Sequence, residues 1–143
     1  MQIGVYGSGY LATVISACLA DFGTPVWCCH ADSTRLLEVA KGNIPFFEKN
    51  LQDVIRRNVR SGRLVYSDDP EELARKAQVI FLAEDSPRGL EEVAVRLAGA
   101  GGRFQVLSIV TPGRVGSTRQ IEKALKAKGL KSLLVCQPMF FTN

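Results

Sequence analysis

Gln2-Ile3-Gly4-Val5-Tyr6-Gly7-Ser8-Gly9-Tyr10-Leu11-Ala12 is the stretch that decides the fold. Gln2 to Tyr6 is a short, mostly apolar strand, and Gly7-Ser8-Gly9 turns the chain out of it. Leu11, Val14, Ile15, Cys18, Leu19 and Phe22 then recur at the three- and four-residue spacing of one helical stripe. Gly23 closes that helix, and Pro25 to Cys29 is a second apolar strand. Strand, glycine turn, helix, strand is the opening unit of a doubly wound sheet. Gly7 permits the tight turn, Gly9 lets a ligand approach the backbone, and Ala12 keeps helix and sheet close. The helix start offers N–H groups and the positive end of a dipole. Such a seat suits a pyrophosphate, so Gly7, Ser8, Gly9, Tyr10 and Leu11 are candidate dinucleotide-binding residues.

The rest of the chain keeps alternating. Asp32 or Ser33 caps a helix through Lys41, with Leu36, Leu37 and Ala40 turned inward. Gly42 to Lys49 is irregular. A basic helix runs from Leu51 to Ser61, and Leu64 to Tyr66 is a short strand. Asp69-Pro70-Glu71-Glu72 starts a helix, with Asp69 as cap, Pro70 at the first position and Glu72 completing a capping box. Val79 to Ala83 reads as a strand buried on both faces. Leu90 to Ala98 is helical and is broken by Gly99 to Gly102, before a strand from Gln105 to Val110. Ser117-Thr118-Arg119-Gln120 has capping-box form and opens a helix to Lys128; Ser132 to Cys136 is the last strand. About six strands separated by helices predict an α/β, doubly wound parallel sheet of the Rossmann type. The expected strand order is 3-2-1-4-5-6, with helices on both faces.

At 143 residues the chain is long enough for one domain with its own core, and 1–143 reads as a single dinucleotide-binding domain. No apolar run reaches the roughly 18 to 20 residues that span a bilayer, so no membrane partner is expected. Met1 leads into a core strand without a basic leader, so the expected location is cytoplasmic. Cys18, Cys28, Cys29 and Cys136 lack metal-ligand spacing and read as small core residues; no metal site is expected. Lys49, Arg56, Arg57, Arg60 and Arg63 concentrate the positive charge without the aromatic interleaving of a nucleic-acid surface. They read as a solvated helix face, and no nucleic-acid partner is expected. Met139-Phe140-Phe141-Thr142-Asn143 follows a core strand directly. Two phenylalanines there suit a piece of a longer chain whose next segment covers them, or self-association through this end.

The acidic residue that holds an adenosine ribose belongs at the end of the second strand, about twenty residues past the glycines. His30 stands there, Asp32 follows, and Arg35 lies in the next helix. Asp32 can take over the ribose contact. His30 and Arg35 can favour a 2′-phosphate, as in NADP. Alternatively, the site has decayed towards weak binding. The three readings stay open at this point.

Several segments together resemble one family. Gly7-Ser8-Gly9-Tyr10-Leu11 is similar to the G-x-G-Y-V/L start of the UDP-glucose/GDP-mannose 6-dehydrogenases. Lys41-Gly42-Asn43-Ile44-Pro45-Phe46-Phe47-Glu48 resembles their K-G-x-I-P-x-Y-E segment, which is more specific than a glycine turn. Ile80-Phe81-Leu82-Ala83 with Ser86-Pro87 resembles their strand and T-P loop; Ser108-Ile109-Val110-Thr111-Pro112-Gly113 resembles S-T-V-x-P-G; Gln137-Pro138-Met139-Phe140-Phe141 resembles N-P-E-F-L. The resemblance spans the chain in order. It implies an NAD-binding domain of an enzyme that oxidises a nucleotide sugar to its acid with two NAD, through a cysteine thioester. It also implies that the catalytic cysteine, a lysine and the sugar pocket lie in later domains, so a nucleotide sugar is a partner only if such domains exist. Cys136 is not that cysteine. Ser86 would lie towards the nicotinamide.

Departures from the family pattern fall on chemistry. His30 replaces the ribose aspartate, Ile109 the threonine of S-T-V, Met139 the glutamate of N-P-E, and Asn143 a second glutamate. Lys49-Asn50 replaces a Pro-Gly pair. Glu84-Asp85 brings two negative charges beside the cofactor path, which disfavours a phosphate-bearing ligand. Two expectations follow. One is an NAD-holding piece of a nucleotide-sugar 6-dehydrogenase, weak in NAD and not competent alone, with no catalytic residue of its own. The other is a non-catalytic module that keeps the fold as a nucleotide sensor or interaction domain.

Overall fold

The computed structural model describes residues 1–101, 105–137 and 139. In chain order its elements begin with β1 (Ile3–Tyr6), α1 (Tyr10–Asp21), β2 (Val26–Cys29), α2 (Ser33–Ala40), α3 (Leu51–Arg60) and β3 (Leu64–Ser67). They continue with α4 (Pro70–Lys76), β4 (Val79–Leu82), α5 (Leu90–Ala100), β5 (Val106–Ile109), α6 (Ser117–Ala127) and β6 (Leu133–Cys136). The strands form one sheet in the order β3-β2-β1-β4-β5-β6, and every pairing is parallel. β1 lies at the centre, with Ile3 opposite both Val26 and Val79.

Alternation along the strands divides the core in two. Val5, Val26, Cys28 and Leu64 face Leu11, Ile15, Leu36, Val39 and Ile55, so α1, α2 and α3 cover one side. Tyr6, Cys29, Ile80, Leu82 and Leu107 face Leu73, Leu97, Ile121 and Leu125, so α4, α5 and α6 cover the other. Cys28 and Cys29 thus point into opposite cores. Helices on both faces of a parallel sheet are what the alternating pattern requires.

Some local expectations are corrected. α1 buries only part of its large stripe: Leu11 and Ile15 are buried together with Ala12, Thr13, Ser16, Ala17 and Ala20, while Phe22 is 88% exposed and Cys18 is exposed. A helix that starts from a buried turn must lie close to the sheet, and its small face allows that. The buried hydroxyls are satisfied locally, Thr13 Oγ1 on the Gly9 carbonyl at 2.7 Å and Ser16 Oγ on the Thr13 carbonyl at 3.2 Å. In α2 the inward pair is Leu36 and Val39, and Leu37 is exposed. α5 runs through Gly99 to Ala100, because Leu97 and Ala98 keep its last turns against the core. Cys136 is exposed on the edge strand.

Neither capping box forms as a box. Asp69 accepts from the N–H groups of Glu71 and Glu72 at 2.9 and 3.1 Å, as a cap should. Its own N–H goes to Ser67 Oγ at 3.2 Å, and Glu72 pairs with Lys76. α6 starts from Gly116 in a left-handed conformation, and Ser117 Oγ donates to the Arg114 carbonyl instead of capping.

Candidate dinucleotide site

The site lies at the carboxyl ends of β1, β2 and β4. The Gly7 N–H donates to the Cys29 carbonyl at 2.9 Å, and the Ala83 N–H donates to the Tyr6 carbonyl at 2.8 Å. The glycine turn is thereby hung between its two neighbouring strands. A Cβ on Gly7 would collide with the Ala83 carbonyl and lie 2.9 Å from the Ala12 Cβ. Only glycine fits this turn. Gly7, Ser8 and Gly9 are all buried, although Ser8 is polar.

The N–H groups at the start of α1, expected to be free, are engaged: Asp85 Oδ2 accepts from Tyr10 N–H at 3.2 Å, and Asp85 Oδ1 accepts from Leu11 N–H at 3.4 Å. The carboxylate lies against Gly9 so closely that a Cβ there would collide with it. Charge complementarity explains the contact, since a helix N-terminus carries partial positive charge and unsatisfied donors.

Tyr10 itself is tied elsewhere. Its hydroxyl donates to the Glu48 carboxylate, which raises the phenol pKa above its ordinary value. Its ring meets Phe46 edge-on at 4.8 Å between centroids. Ile44 and Phe46 pack against the first core, so the irregular segment before α3 is fastened to the first turn of α1. Phe47 stays 91% exposed.

At the end of β2, His30 is held on both ring nitrogens. Nε2 lies 2.9 Å from Glu84 Oε1, and Nδ1 accepts from the Asp32 N–H at 2.9 Å. A neutral imidazole with its proton on Nε2 makes both contacts. The Tyr6 ring stands 5.5 Å away, tilted. Burial first, and then the Glu84 charge, raise the Tyr6 phenol pKa. Asp32 is exposed and caps α2, accepting from the Arg35 N–H at 3.3 Å. Arg35 is exposed beside it in a shallow groove with Glu38, Asn43 and Pro45. Ser86 bonds within its own loop, accepting from the Arg88 N–H at 3.3 Å. It precedes Pro87 at the mouth of a cavity of about 390 Å³ at the ends of β4, β5 and β6, lined also by Ile109, Thr111, Arg114 and Cys136.

The fold therefore brings together the glycine turn, Tyr10, Leu11 and His30, joins them through Glu84 and Asp85, and leaves Asp32, Arg35 and Ser86 on its margins. The contacts of Glu84 and Asp85 escaped the sequence reading. Their signal was available: an acidic pair ends β4, and β4 adjoins β1 in the expected strand order. Burial pushes the thiol pKa of Cys28 and of Cys29 up to about 12, so both stay protonated at neutral pH. Ile109 is buried in the second core, and Met139 packs against the first. Phe140, Phe141 and Asn143 lie outside the described residues.

With this geometry established, comparison with known proteins decides the family. Residues 1–97 match the UDP-glucose/GDP-mannose dehydrogenase family, NAD binding domain. The chain belongs to this family. The UDP-glucose 6-dehydrogenase of Rhizobium meliloti strain 1021 is 31% identical over 140 residues, covering 88% of this chain and 31% of that protein. A UDP-glucose dehydrogenase from Pyrobaculum islandicum superposes with a TM-score of 0.87 at 23% identity, over 99% of this chain and 36% of that one. A GDP-mannose dehydrogenase from Pseudomonas aeruginosa, solved as a ternary complex, has a TM-score of 0.87 at 18% identity, over 100% and 37% of the two chains. These two structures establish the fold. The chain spans about a third of the length of the dehydrogenases it resembles. Among the described residues no helix is long and apolar enough to cross a membrane.

Proposed function

We propose that this chain is the dinucleotide-holding domain of a nucleotide-sugar 6-dehydrogenase-like oxidoreductase of the cytoplasm, that it holds NAD weakly, and that it does not oxidise a nucleotide sugar by itself. The carrying observation is the family match over residues 1–97, joined to a glycine turn whose Gly7 tolerates no side chain. The backbone of the turn fits a pyrophosphate. The carboxylate of Asp85, as folded, does not. In this reading Gly7, Ser8 and Gly9 form the cradle, and the Tyr10 and Leu11 N–H groups face the phosphates. Asp32 and Arg35 flank the adenosine ribose, and Ser86 lies towards the nicotinamide. Bound NAD would supply the hydride acceptor; the residues of this chain bind and orient it, and none is assigned to catalysis. A 2′-phosphate, as in NADP, is disfavoured because Glu84 occupies the free face of His30.

A nucleotide sugar and a covering domain enter as partners only through chain beyond these residues. The second reading, a non-catalytic module, is favoured by Asp85 in the pyrophosphate seat. The two separate in one experiment. The chain is titrated calorimetrically with NAD, and NADH absorbance is followed with UDP-glucose or GDP-mannose. We expect NAD binding at high micromolar dissociation constants or weaker, and no NADH. Steady NADH formation would overturn the claim that the chain is incompetent alone; no heat of binding at millimolar NAD would favour the module.

A further inference from the structure

The disagreement between the cradle and its acidic neighbour carries a specific inference. Asp85 is separated from Tyr10 by 75 positions, yet its two oxygens meet the first two N–H groups of α1 at 3.2 and 3.4 Å. The same carboxylate fills the space left by the missing Gly9 side chain. Beside it, Glu84 is anchored to His30 at 2.9 Å, which fixes the turn after β4 from the β2 side. An anion, two donors, a helix dipole and an open glycine face are the components of a phosphate seat, here completed from within the chain. Asp85 itself is exposed, so rotation of its side chain can return it to water.

We propose that Asp85 is a resident anion in the pyrophosphate seat, and that a dinucleotide binds only by displacing it. This rests on reading the seat as a dinucleotide site. Asp85 is then the residue that sets affinity for pyrophosphate-bearing ligands. It acts twice, by competing for the Tyr10 and Leu11 N–H groups and by repelling phosphate at short range.

The test compares wild type, Asp85→Asn and Asp85→Ala. Asp85→Asn keeps the shape and removes the charge; Asp85→Ala empties the seat. Without ligand, the Tyr10 and Leu11 amide resonances are expected to shift strongly in both variants, while the rest of the spectrum holds. With NAD as the probe, calorimetry is expected to show tightening of about tenfold or more in Asp85→Ala, one decade being about 1.4 kcal/mol. Asp85→Asn should fall between. The gain should persist from about 0.05 M to about 0.5 M salt, because a contact is less screened than distant charge. Unmoved amide resonances would overturn the contact, whatever NAD does. Shifted resonances with equal NAD affinity in all three proteins would overturn the competition and leave the dinucleotide reading standing. Shifted resonances with no NAD binding by any of them would overturn both. A gain that disappears at high salt would reduce Asp85 to a remote charge and overturn its place in the seat.

Discussion

Replacing His30 by aspartate restores a carboxylate at the end of β2, where a ribose would be held. Taken alone, a charged hydrogen bond there contributes about 1.5 to 3 kcal/mol, or roughly ten- to a hundredfold in affinity. The neighbourhood removes most of that gain. His30 Nε2 lies 2.9 Å from Glu84 Oε1, and each side chain is only 21% exposed. The shorter aspartate would face Glu84 at about 5 Å, where two unit charges repel by roughly 3 kcal/mol at an effective dielectric constant of about 20. Without ligand the aspartate can turn away from Glu84, but facing a ribose it cannot, so the repulsion enters the bound state and offsets the gain. His30→Asp alone should therefore change NAD affinity by less than about threefold. Adding His30→Asp to Glu84→Gln, where the repelling charge is gone, should tighten NAD by about tenfold or more. Calorimetric titration of wild type, both single variants and the double variant closes a mutant cycle. Tenfold tightening by His30→Asp in the wild-type background would refute the coupling. A double variant no tighter than Glu84→Gln would refute the ribose contact.

Two further predictions concern the frame. A Cβ on Gly4 would lie 2.9 Å from Leu73 Cδ1, 3.0 Å from Ala77 Cβ and 3.2 Å from Ile80 Cγ1. Gly4→Ala should therefore lower stability in urea unfolding by about 1 to 3 kcal/mol, against the gain that alanine normally brings to a strand; a more stable variant would refute the close approach of α4. Asp21 accepts from Arg57 at 2.9 and 2.7 Å and from Asn58 at 3.0 Å, and these bonds hold its carboxyl below the ordinary carboxylate range. Its pKa is lower folded than unfolded, so the tether's contribution is full above the unfolded value of about 3.9 and is lost as pH falls through the folded one. Asp21→Asn should unfold more readily than wild type at neutral pH and equally at acid pH, and a gap that survives acid would refute it.

All six strands were legible because each is a short apolar run between breakers, and their order followed from the alternation with helices. The orientation of α1 was not. Hydrophobic size points to the whole stripe with Val14, Cys18 and Phe22, whereas the face on the sheet joins only Leu11 and Ile15 of that stripe to the small residues Ala12, Thr13, Ser16, Ala17 and Ala20. Small residues carry little hydrophobic signal, yet they decide how near a helix can lie. α2 shows the same limit on a smaller scale, since Leu37 and Val39 differ in burial by position on the helix and not by character. The glycine turn, His30, Asp32 and Arg35 could be placed from spacing alone. The contacts of Glu84 and Asp85 span 54 residues to His30 and 75 to Tyr10, so spacing along the chain does not give them, and the expected neighbourhood of β4 and β1 was their signal.

That long-range closure bears on how the departures from the family pattern should be understood. Simple decay of a ligand site removes contacts and leaves donors to water. Here the contacts are replaced. Asp85 satisfies the first N–H groups of α1, and Glu84 and the Asp32 N–H hold His30 on both nitrogens. A carboxylate capping a helix start contributes about 0.5 to 2 kcal/mol. A ligand at a hundred times its dissociation constant would add about 2.7 kcal/mol to the same fold. The two are of one order, so the internal anion supplies without ligand a sizeable part of what a bound dinucleotide would supply. His30 and the distant pair Glu84-Asp85 thus form one connected arrangement at the switch point of the sheet. If a dinucleotide must displace Asp85, as proposed, the two hydrogen bonds that cap α1 in the ligand-free domain are the same two that its binding has to break.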